Sequence, residues 1–223
     1  MTTDKGNEPY LFIISSVIYF KDKSLEYSLL RSVFDYKERE TQTLKTIRSI
    51  KSKVPNSYIV LIESGLNQDI DKEIINNVDQ YIYTGHNKLV RWACDSTKKG
   101  LGEAVSLYYG LKQITSLNYK YCFKISGRYY LNENFNVHAY DDTKDISLKI
   151  YNNPLQMSTR LYGFNNYFLK TLKNRLPFLF FGLYKNKSIE ELLYAKIKKS
   201  QINELETLGV SGLIGPDGNE INE

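Results

Sequence analysis

The sequence contains little cysteine, histidine and proline, and it lacks a long apolar run. Two of its 223 residues are cysteine, two are histidine and five are proline. The cysteines, Cys94 and Cys122, are too few for a disulfide framework of the kind that holds small secreted domains together. His86 and His138 have no second histidine or cysteine at metal-ligand spacing, so we assign neither to a metal. No segment approaches the roughly 20 apolar residues that a membrane-spanning helix needs.

A strong charge excess is absent as well. Thirty Lys and Arg against 25 Asp and Glu give a net charge of +5, and the basic residues are interspersed with acidic ones. This pattern favours a local anionic ligand or a weakly anionic surface over DNA or RNA, and no RNA-binding aromatic motif occurs. The N-terminus has no basic-then-apolar signal pattern, so we expect a cytoplasmic protein.

The first half of the chain alternates strand-like and helix-like segments. A length of 223 residues favours one domain. Apolar runs predict buried strands at 10–20, 58–63, 80–83 and 121–125, and helical periodicity predicts helices at 41–54, 71–78 and 100–117. This order predicts an α/β fold with a mostly parallel central sheet flanked by helices.

The second half is less regular. We predict short strands at 146–150 and 159–162, a helix at 165–174, a separate apolar segment at 176–184, and a helix from Ser188. A nucleotide-binding half, about 10–130, followed by an irregular half, about 131–223, is a common enzyme plan. The second half then shapes the substrate site.

The segment 119–131 predicts a buried strand that ends in a turn with Lys124, Ser126, Gly127 and Arg128. Ligands of open α/β sheets bind beyond the carboxyl ends of the strands. A lysine inside an apolar strand is costly unless an anion meets it, and an arginine can bind a phosphate through two parallel hydrogen bonds. We therefore predict an anion site here, in preference to a cation pair that only solvates a strand end.

A second candidate phosphate site is the segment 98–104, Lys-Lys-Gly-Leu-Gly-Glu-Ala, just before a predicted helix. Its cations and free backbone N–H groups suit a phosphate. The alternative is a solvated loop in which Gly100 or Gly102 caps the helix. The segment matches neither a P-loop nor a dinucleotide-binding fingerprint.

Arg31 and Arg39 follow the first strand and could reach a ligand above it. An equally good interpretation makes them helix-surface charges with Glu38 and Glu40 as partners.

Ser188 and Glu191 match a capping box at the start of a late helix. Glu190 has no such role, and a carboxylate at a helix N-terminus can act as a base. Glu190 is therefore the first candidate catalytic residue and Glu191 the second.

The segment 170–187 is an apolar aromatic run with cations on both sides. It resembles an interfacial membrane anchor, although Pro177 and Gly182 interrupt it. Core packing or a dimer contact is the alternative that we favour.

Taken together, these segments resemble a glycosyltransferase of the GT-A fold, above all the small sugar transferases of capsule, lipopolysaccharide and large-DNA-virus glycan pathways. The likeness depends on the order of segments and covers most of the chain. In that order the matching segments are 42–50 with Pro55, 63–64, 99–104, 123–131, 158–162, 188–190 and 209–218. The resemblance implies a single GT-A-like, Rossmann-like domain over 1–223.

The resemblance also implies a nucleoside-diphosphate sugar donor (UDP-, GDP- or dTDP-sugar) above the ends of the first strands. The donor site is then predicted to contain Ser15, Ser16, Arg31, Glu63, Lys99, Gly100, Glu103, Lys124, Ser126, Gly127 and Arg128. Predicted walls of the sugar pocket are Tyr129, Tyr130, Arg160 and Tyr162. In inverting members a carboxylate at a late helix N-terminus deprotonates the acceptor hydroxyl, which matches Glu190, with Glu191 second. The stereochemistry stays open.

In this family the strand that corresponds to 121–125 usually ends in an Asp-x-Asp metal motif. Ile125-Ser-Gly-Arg128 has no carboxylate, so a requirement for Mn²⁺ or Mg²⁺ stays open. Lys124 and Arg128 are the natural substitutes, because fixed cations can neutralise a departing diphosphate. Asp141-Asp142 could bind a divalent cation, although we expect a turn there.

The leading hypothesis is therefore transfer of a sugar from a nucleotide sugar to a hydroxyl of a glycan acceptor, without a nucleic-acid partner. One alternative is a non-catalytic glycan- or anion-binding module derived from such a transferase. Another is a sugar-phosphate nucleotidyltransferase, which normally has a glycine-rich loop after the first strand, whereas 15–21 has no glycine. The oligomeric state is not predicted, and a peripheral membrane contact through 170–187 stays open.

Overall fold

The computed structural model describes residues 9–114, 119–140, 143–152 and 154–223. The pair 141–142, considered above for a divalent cation, lies outside them. The helices are α1 (Tyr36–Lys53), α2 (Lys72–Asn76), α3 (Lys88–Cys94), α4 (Lys99–Leu111), α5 (Asn166–Tyr184) and α6 (Ile189–Tyr194), with 3₁₀ turns at Val137–Ala139 and Lys199–Gln201. The strands are β1 (Tyr10–Ser16), β2 (Ser57–Glu63), β3 (Gln80–Tyr83), β4 (Cys122–Ser126), β5 (Tyr129–Leu131), β6 (Ile146–Leu148), β7 (Ile150–Asn152), β8 (Leu155–Met157), β9 (Leu161–Phe164), β10 (Ile202–Glu204), β11 (Val210–Leu213) and β12 (Glu220–Asn222).

The central sheet has the spatial order β10-β6-β9-β4-β1-β2-β3. β1 runs parallel to both β2 and β4, β2 runs parallel to β3, and β10 runs parallel to β6. β9 is antiparallel to both of its neighbours, β4 and β6. The predicted α/β fold with a mostly parallel sheet is confirmed. The chain leaves β1 towards β2 on one side and reaches β4 on the other, which creates the crevice where α/β folds hold ligands.

Side-chain alternation along β1 divides the core into two layers. Leu11 and Ile13 belong to the layer that includes residues of α3, α4, α5 and α6. Phe12 and Ile14 belong to the layer on the other face, which includes residues of α1 and α2. All four side chains are fully buried. A strand covered on both faces has a continuous apolar sequence, which is why β1 could be predicted.

Residues 166–184 form one helix, α5, with Pro177 inside it. The predicted break between a helix at 165–174 and a separate segment at 176–184 is therefore wrong. A proline in a helix interior costs about 3 kcal/mol. Leu172, Leu176, Leu179 and Leu183 form a buried stripe along α5, and each buried leucine contributes about 2 kcal/mol. Their burial outweighs the cost of the proline.

The helix α3 and several short strands, among them β8, β10, β11 and β12, were not predicted from the sequence. α3 has only seven residues, and Asn87 caps it by accepting hydrogen bonds from the N–H groups of Leu89 and Val90. The three-stranded sheet β12-β11-β5 joins 220–222 to the strand after β4. Such short strands carry little periodicity, so their pairing had no signal in the sequence.

Across the described residues, none of the helices combines the length and the apolar character that crossing a bilayer requires.

Candidate functional site

Two cavities open beyond the carboxyl ends of β1 and β4. The first, of about 110 Å³, lies between the end of β1 and the helices α1 and α4. The second, of about 670 Å³, extends towards β8 and the start of α6. Four side chains line both cavities, namely Lys99, Glu103, Ser126 and Arg128. The cavities therefore meet at a junction with two cations and one carboxylate.

Most of the predicted site residues line these cavities. The first cavity is lined by Ser15, Ser16, Arg31, Lys99, Glu103, Ser126, Gly127 and Arg128. The second is lined by Lys99, Gly100, Glu103, Ser126, Arg128, Tyr129, Arg160 and Glu190. The predicted residues that line neither are Glu63, Lys124, Tyr130, Tyr162 and Glu191.

Arg128 is the first cation of the junction. It is half-buried, and no described carboxylate lies within ion-pair distance of its guanidinium. A Cβ atom added to Gly215 would overlap the Nη1 atom of Arg128, so the glycine leaves the space that the guanidinium occupies. An unpaired arginine between two cavities is available for an anionic ligand.

Lys124 has a different environment from the one expected. Its side chain is 1% exposed, and its ammonium forms an ion pair with Glu103 and donates a hydrogen bond of 3.2 Å to the Thr159 carbonyl. Burial raises the pKa of Glu103, but the charge and hydrogen bond of Lys124 outweigh burial, so the net effect is a lowered pKa. The anion that meets this strand lysine is thus a carboxylate of the protein.

Lys99 is the second cation of the junction, at the start of α4. Burial, followed by the charge of Arg128, lowers the pKa of Lys99 to about 7, while Glu103 and Glu190 act in the opposite direction. Its ammonium therefore changes charge near neutral pH. The N-cap of α4 is Lys98, so neither Gly100 nor Gly102 caps this helix.

Glu190 and Glu191 lie next to each other at the start of α6 but have different partners. Glu191 completes the capping box: its carboxylate accepts a hydrogen bond from the Ser188 N–H, and its own N–H donates to Ser188 Oγ. Glu190 lines the second cavity and accepts a hydrogen bond of 2.9 Å from Thr159 Oγ1. Only Glu190 of the pair faces a cavity.

Glu63 lies behind the wall of the first cavity. It is fully buried, and its Oε1 atom accepts hydrogen bonds from the N–H groups of Ile18 at 3.0 Å and Gly65 at 2.6 Å. Burial raises its pKa, although these bonds, a bond from Ser16 and the charge of Arg39 oppose the rise. Glu63 thus fixes the chain that leaves β1 instead of facing the cavity.

Arg31 fastens the segment 21–34 beside the first cavity. Its guanidinium donates to three backbone carbonyls: Lys23 at 3.1 Å, Cys94 at 2.9 Å and Ser96. The same segment places Glu26 and Tyr27 on the wall of the second cavity. Arg31 therefore holds the cavity wall.

Arg39 is a cavity residue that sequence reasoning considered but did not select. It lines the first cavity, and its guanidinium carbon lies 4.2 Å from the centre of the Phe20 ring. Burial and the charge of Arg128 lower the pKa of Arg39. Its Nε atom is buried without a hydrogen-bond partner among the described residues. The four-residue spacing from Asp35, the N-cap of α1, could have placed it one turn into that helix.

The four predicted wall residues divide into two pairs. Tyr129 and Arg160 line the second cavity, whereas Tyr162 is buried in the core and Tyr130 lies under the Lys45 ammonium, 3.5 Å from the ring centre. Side chains alternate along β5, so Tyr129 and Tyr130 necessarily face opposite ways.

Arg160 is held in place by a residue far away in sequence. Glu223 accepts a hydrogen bond of 3.1 Å from Arg160 Nη1 and another from the Tyr151 hydroxyl. The side chain of Glu223 is 11% exposed, and burial raises its pKa. No sequence motif indicated Glu223, because its position depends on the pairing of β12 with β11.

The residues at the end of β4 do not fit a divalent metal. Ser126, Gly127 and Arg128 supply no carboxylate, and the nearby Glu103 is paired with Lys124. Within the described ranges, no group of three or more His, Cys, Asp or Glu side chains could hold a metal ion.

Comparisons with known proteins give a fold but no family. No protein-family model and no curated protein sequence matches this chain. The structure is similar to that of the galactosyltransferase LgtC in complex with donor and acceptor sugar analogs, with 8% identity, a TM-score of 0.52, and 93% of this chain and 88% of that chain covered.

Two further solved structures are more distantly similar. One is a glycosyltransferase involved in glycosylation of the major capsid of PBCV-1, with 7% identity, 90% of this chain and 83% of that chain covered, and a TM-score of 0.46. The other is the apo form of mouse xyloside xylosyltransferase 1, with 6% identity, coverage of 78% and 71%, and a TM-score of 0.39. The likeness to LgtC shows that the chain has a GT-A-like glycosyltransferase fold.

Proposed function

We propose that this protein transfers a sugar from a nucleoside-diphosphate sugar to a hydroxyl group of a glycan acceptor. The observation that carries the proposal is the pair of cavities that meet at Arg128, at the switch point of the sheet. The first cavity lies beyond the carboxyl end of β1, where α/β sheets bind nucleotides. The second cavity has the volume of a site for small molecules such as sugars. The fold similarity to LgtC, solved with donor and acceptor sugar analogs, supports the same assignment.

In the proposed reaction, the bond between the anomeric carbon and the diphosphate oxygen breaks, and its electron pair leaves with the diphosphate. Arg128 and Lys99 lie at the junction of the cavities, where they can stabilise this developing charge. Arg39 extends the cationic wall into the first cavity. Lys99 thereby takes the role that the sequence suggested for Lys124, whose ammonium is committed to Glu103. No step in this proposal uses a divalent metal.

The acceptor hydroxyl forms the new bond to the anomeric carbon and loses its proton to a base. Glu190 is the residue that we propose for this role in an inverting reaction, because its carboxylate lines the second cavity and Thr159 fixes its orientation. Glu191 is the weaker candidate, because its carboxylate is bonded within the capping box.

The test begins with binding of nucleotide sugars. A panel of UDP-, GDP- and dTDP-sugars is screened by thermal denaturation with EDTA and with Mn²⁺, since a bound ligand raises the melting temperature. We expect at least one donor to stabilise the protein equally in both conditions. Arg128→Ala should weaken that binding by about 2 kcal/mol, roughly 30-fold, because a charged hydrogen-bond partner of the diphosphate is lost. Arg48→Ala, which removes a surface ion pair with Glu73, is the matched control and should bind normally.

Turnover separates an enzyme from a binding module. Purified protein should hydrolyse the bound donor slowly, and Glu190→Gln should reduce transfer to an acceptor without changing donor affinity. If no nucleotide sugar binds in either condition, the proposal is wrong. Tight binding without hydrolysis or transfer would instead identify a non-catalytic module.

A further inference from the structure

An aromatic surface next to the second cavity has no part in the proposed reaction. Phe178 is 80% exposed, Phe181 68%, Tyr184 55% and Trp92 52%. The Trp92 and Tyr184 rings stack with their centres 6.2 Å apart, which joins α3 to the end of α5. Phe181 lies one helical turn from both Phe178 and Tyr184, so the side chains are neighbours. We call these four residues the aromatic patch.

The aromatic patch is not a surplus of core residues. α5 buries its leucine stripe against the rest of the protein, and the phenylalanines lie on the opposite, solvent-facing side. A contiguous exposed apolar surface on a folded protein usually marks an interaction site. The aromatic residues therefore need a partner that the described part of the chain does not supply.

The charges around the aromatic patch indicate the partner. The segment 165–187 contains four lysines and one arginine and has no Asp or Glu. The Lys185 ammonium lies 4.4 Å from the centre of the Phe181 ring. No described carboxylate lies within ion-pair distance of Lys170, Lys173 or Lys185. Exposed aromatic rings within a rim of unpaired lysines are complementary to anionic headgroups above an apolar layer.

We propose that the aromatic patch and its lysine rim bind the surface of an anionic lipid bilayer. The helix lies in the plane of the membrane interface, with Phe178 and Phe181 inserted among the acyl chains and the lysines at the headgroups. Leu183, Asn186 and Lys187 line the second cavity, so the mouth of that cavity lies beside the membrane. An acceptor carried on a lipid would reach the cavity from this side, and this last step alone rests on the proposed function.

The test is co-sedimentation with vesicles, which needs no knowledge of the sugars. Full-length protein is mixed with vesicles of phosphatidylcholine alone or with added phosphatidylglycerol, at low and high salt. We expect binding to the anionic vesicles that weakens as salt rises. Phe178→Ser with Phe181→Ser should weaken binding about tenfold or more, because the inserted rings are lost. Lys170→Glu with Lys173→Glu should weaken it similarly at low salt.

Two matched controls lie on α1, on the other face of the sheet. Tyr36→Ser removes an exposed aromatic side chain, and Lys37→Glu reverses an exposed charge. Both should bind the anionic vesicles like the unchanged protein. Circular dichroism checks that each variant is folded, which we expect because none of the replaced side chains is buried.

Three outcomes would overturn the proposal. The unchanged protein could fail to sediment with anionic vesicles, or the double phenylalanine variant could sediment as well as the unchanged protein. A dimer in sedimentation velocity that the Phe178 and Phe181 replacements dissociate would show that a second copy covers the aromatic patch. Nucleotide-sugar binding is measured separately, so failure of the proposed function leaves this result intact.

Discussion

At the scale of single residues, the pairing of Lys124 with Glu103 changes how the anion site is understood. Burying an unpaired lysine in an apolar strand costs so much free energy that the sequence predicted an anion beside Lys124. The structure has one. The chain itself supplies that anion from α4, 21 residues earlier. Strand and helix meet only in the folded protein, so the sequence could identify the need for a partner but not the partner.

The ion pair predicts a specific pattern of stabilities. Lys124→Met leaves the Glu103 carboxylate without its partner, so the free energy of unfolding should fall by about 3 kcal/mol. Lys124→Met combined with Glu103→Leu should recover most of that loss, because both charges are gone. Urea unfolding measures each value. A single variant within about 0.5 kcal/mol of the unchanged protein would contradict a buried pair.

The lowered pKa of Lys99 predicts that diphosphate binding takes up a proton. Near pH 8 the free ammonium is mostly deprotonated, because its pKa is about 7, and a bound diphosphate favours the charged form. UDP binding should therefore weaken as the pH rises above about 7. Calorimetry in two buffers of different ionisation enthalpy should show uptake of close to one proton, and Lys99→Met should abolish it.

The same lowered pKa makes stability increase with pH, whereas it makes UDP binding weaken with pH. Between pH 7 and the ordinary value of 10.5 the unfolded chain binds more protons at Lys99 than the folded protein does. The contribution of Lys99 to the free energy of unfolding should therefore increase with pH across that window. The free energy of unfolding of the unchanged protein should therefore rise relative to that of Lys99→Met as the pH increases across this window. An unchanging difference between the two would contradict the lowered pKa.

At the scale of elements, local signals predicted some helix boundaries and missed others: α1 ends within one residue of the predicted end but starts five residues before the predicted start. The capping box at Ser188 was recognised in the sequence and is present in the structure. The break at Pro177 was not realised, because tertiary burial of the leucine stripe outweighs a local preference. A proline lowers the stability of the helix turn that contains it, whereas the length of a helix also depends on the residues that pack against it.

Capping at α6 should affect both stability and transfer. Ser188→Ala removes the cap and should lower the free energy of unfolding by about 1 kcal/mol. Because Glu190 lies in the first turn of α6, the variant should also lower the rate of transfer. Asp71→Ala removes the comparable cap of α2, so it should cost about the same stability and leave transfer unchanged. Equal loss of transfer in both variants would show a general effect of destabilisation.

At the scale of the whole molecule, the two halves of the chain share one sheet. β9 pairs with β4, and β6 and β10 continue outward from it. The residues of the second cavity therefore lie on the same scaffold as those of the first. The strand–helix alternation of the sequence predicted the parallel half of the sheet. The antiparallel direction of β9 could not be predicted, because a strand of four residues has no pattern that indicates its direction.

A shared sheet should unfold as one unit. We expect urea unfolding followed by the fluorescence of Trp92, in the first half, to coincide with unfolding followed by far-ultraviolet circular dichroism. A bound nucleotide sugar should shift both curves equally. Two separated transitions, with only the Trp92 signal moved by ligand, would mean that the second half folds independently.

The three bonds of Arg31 have a consequence for the wall of the first cavity. All three acceptors are backbone carbonyls, which have no proton to gain within the range where proteins are folded. The segment 21–34 should therefore keep its place beside the first cavity when acid or alkali alters the charges of the residues that line it.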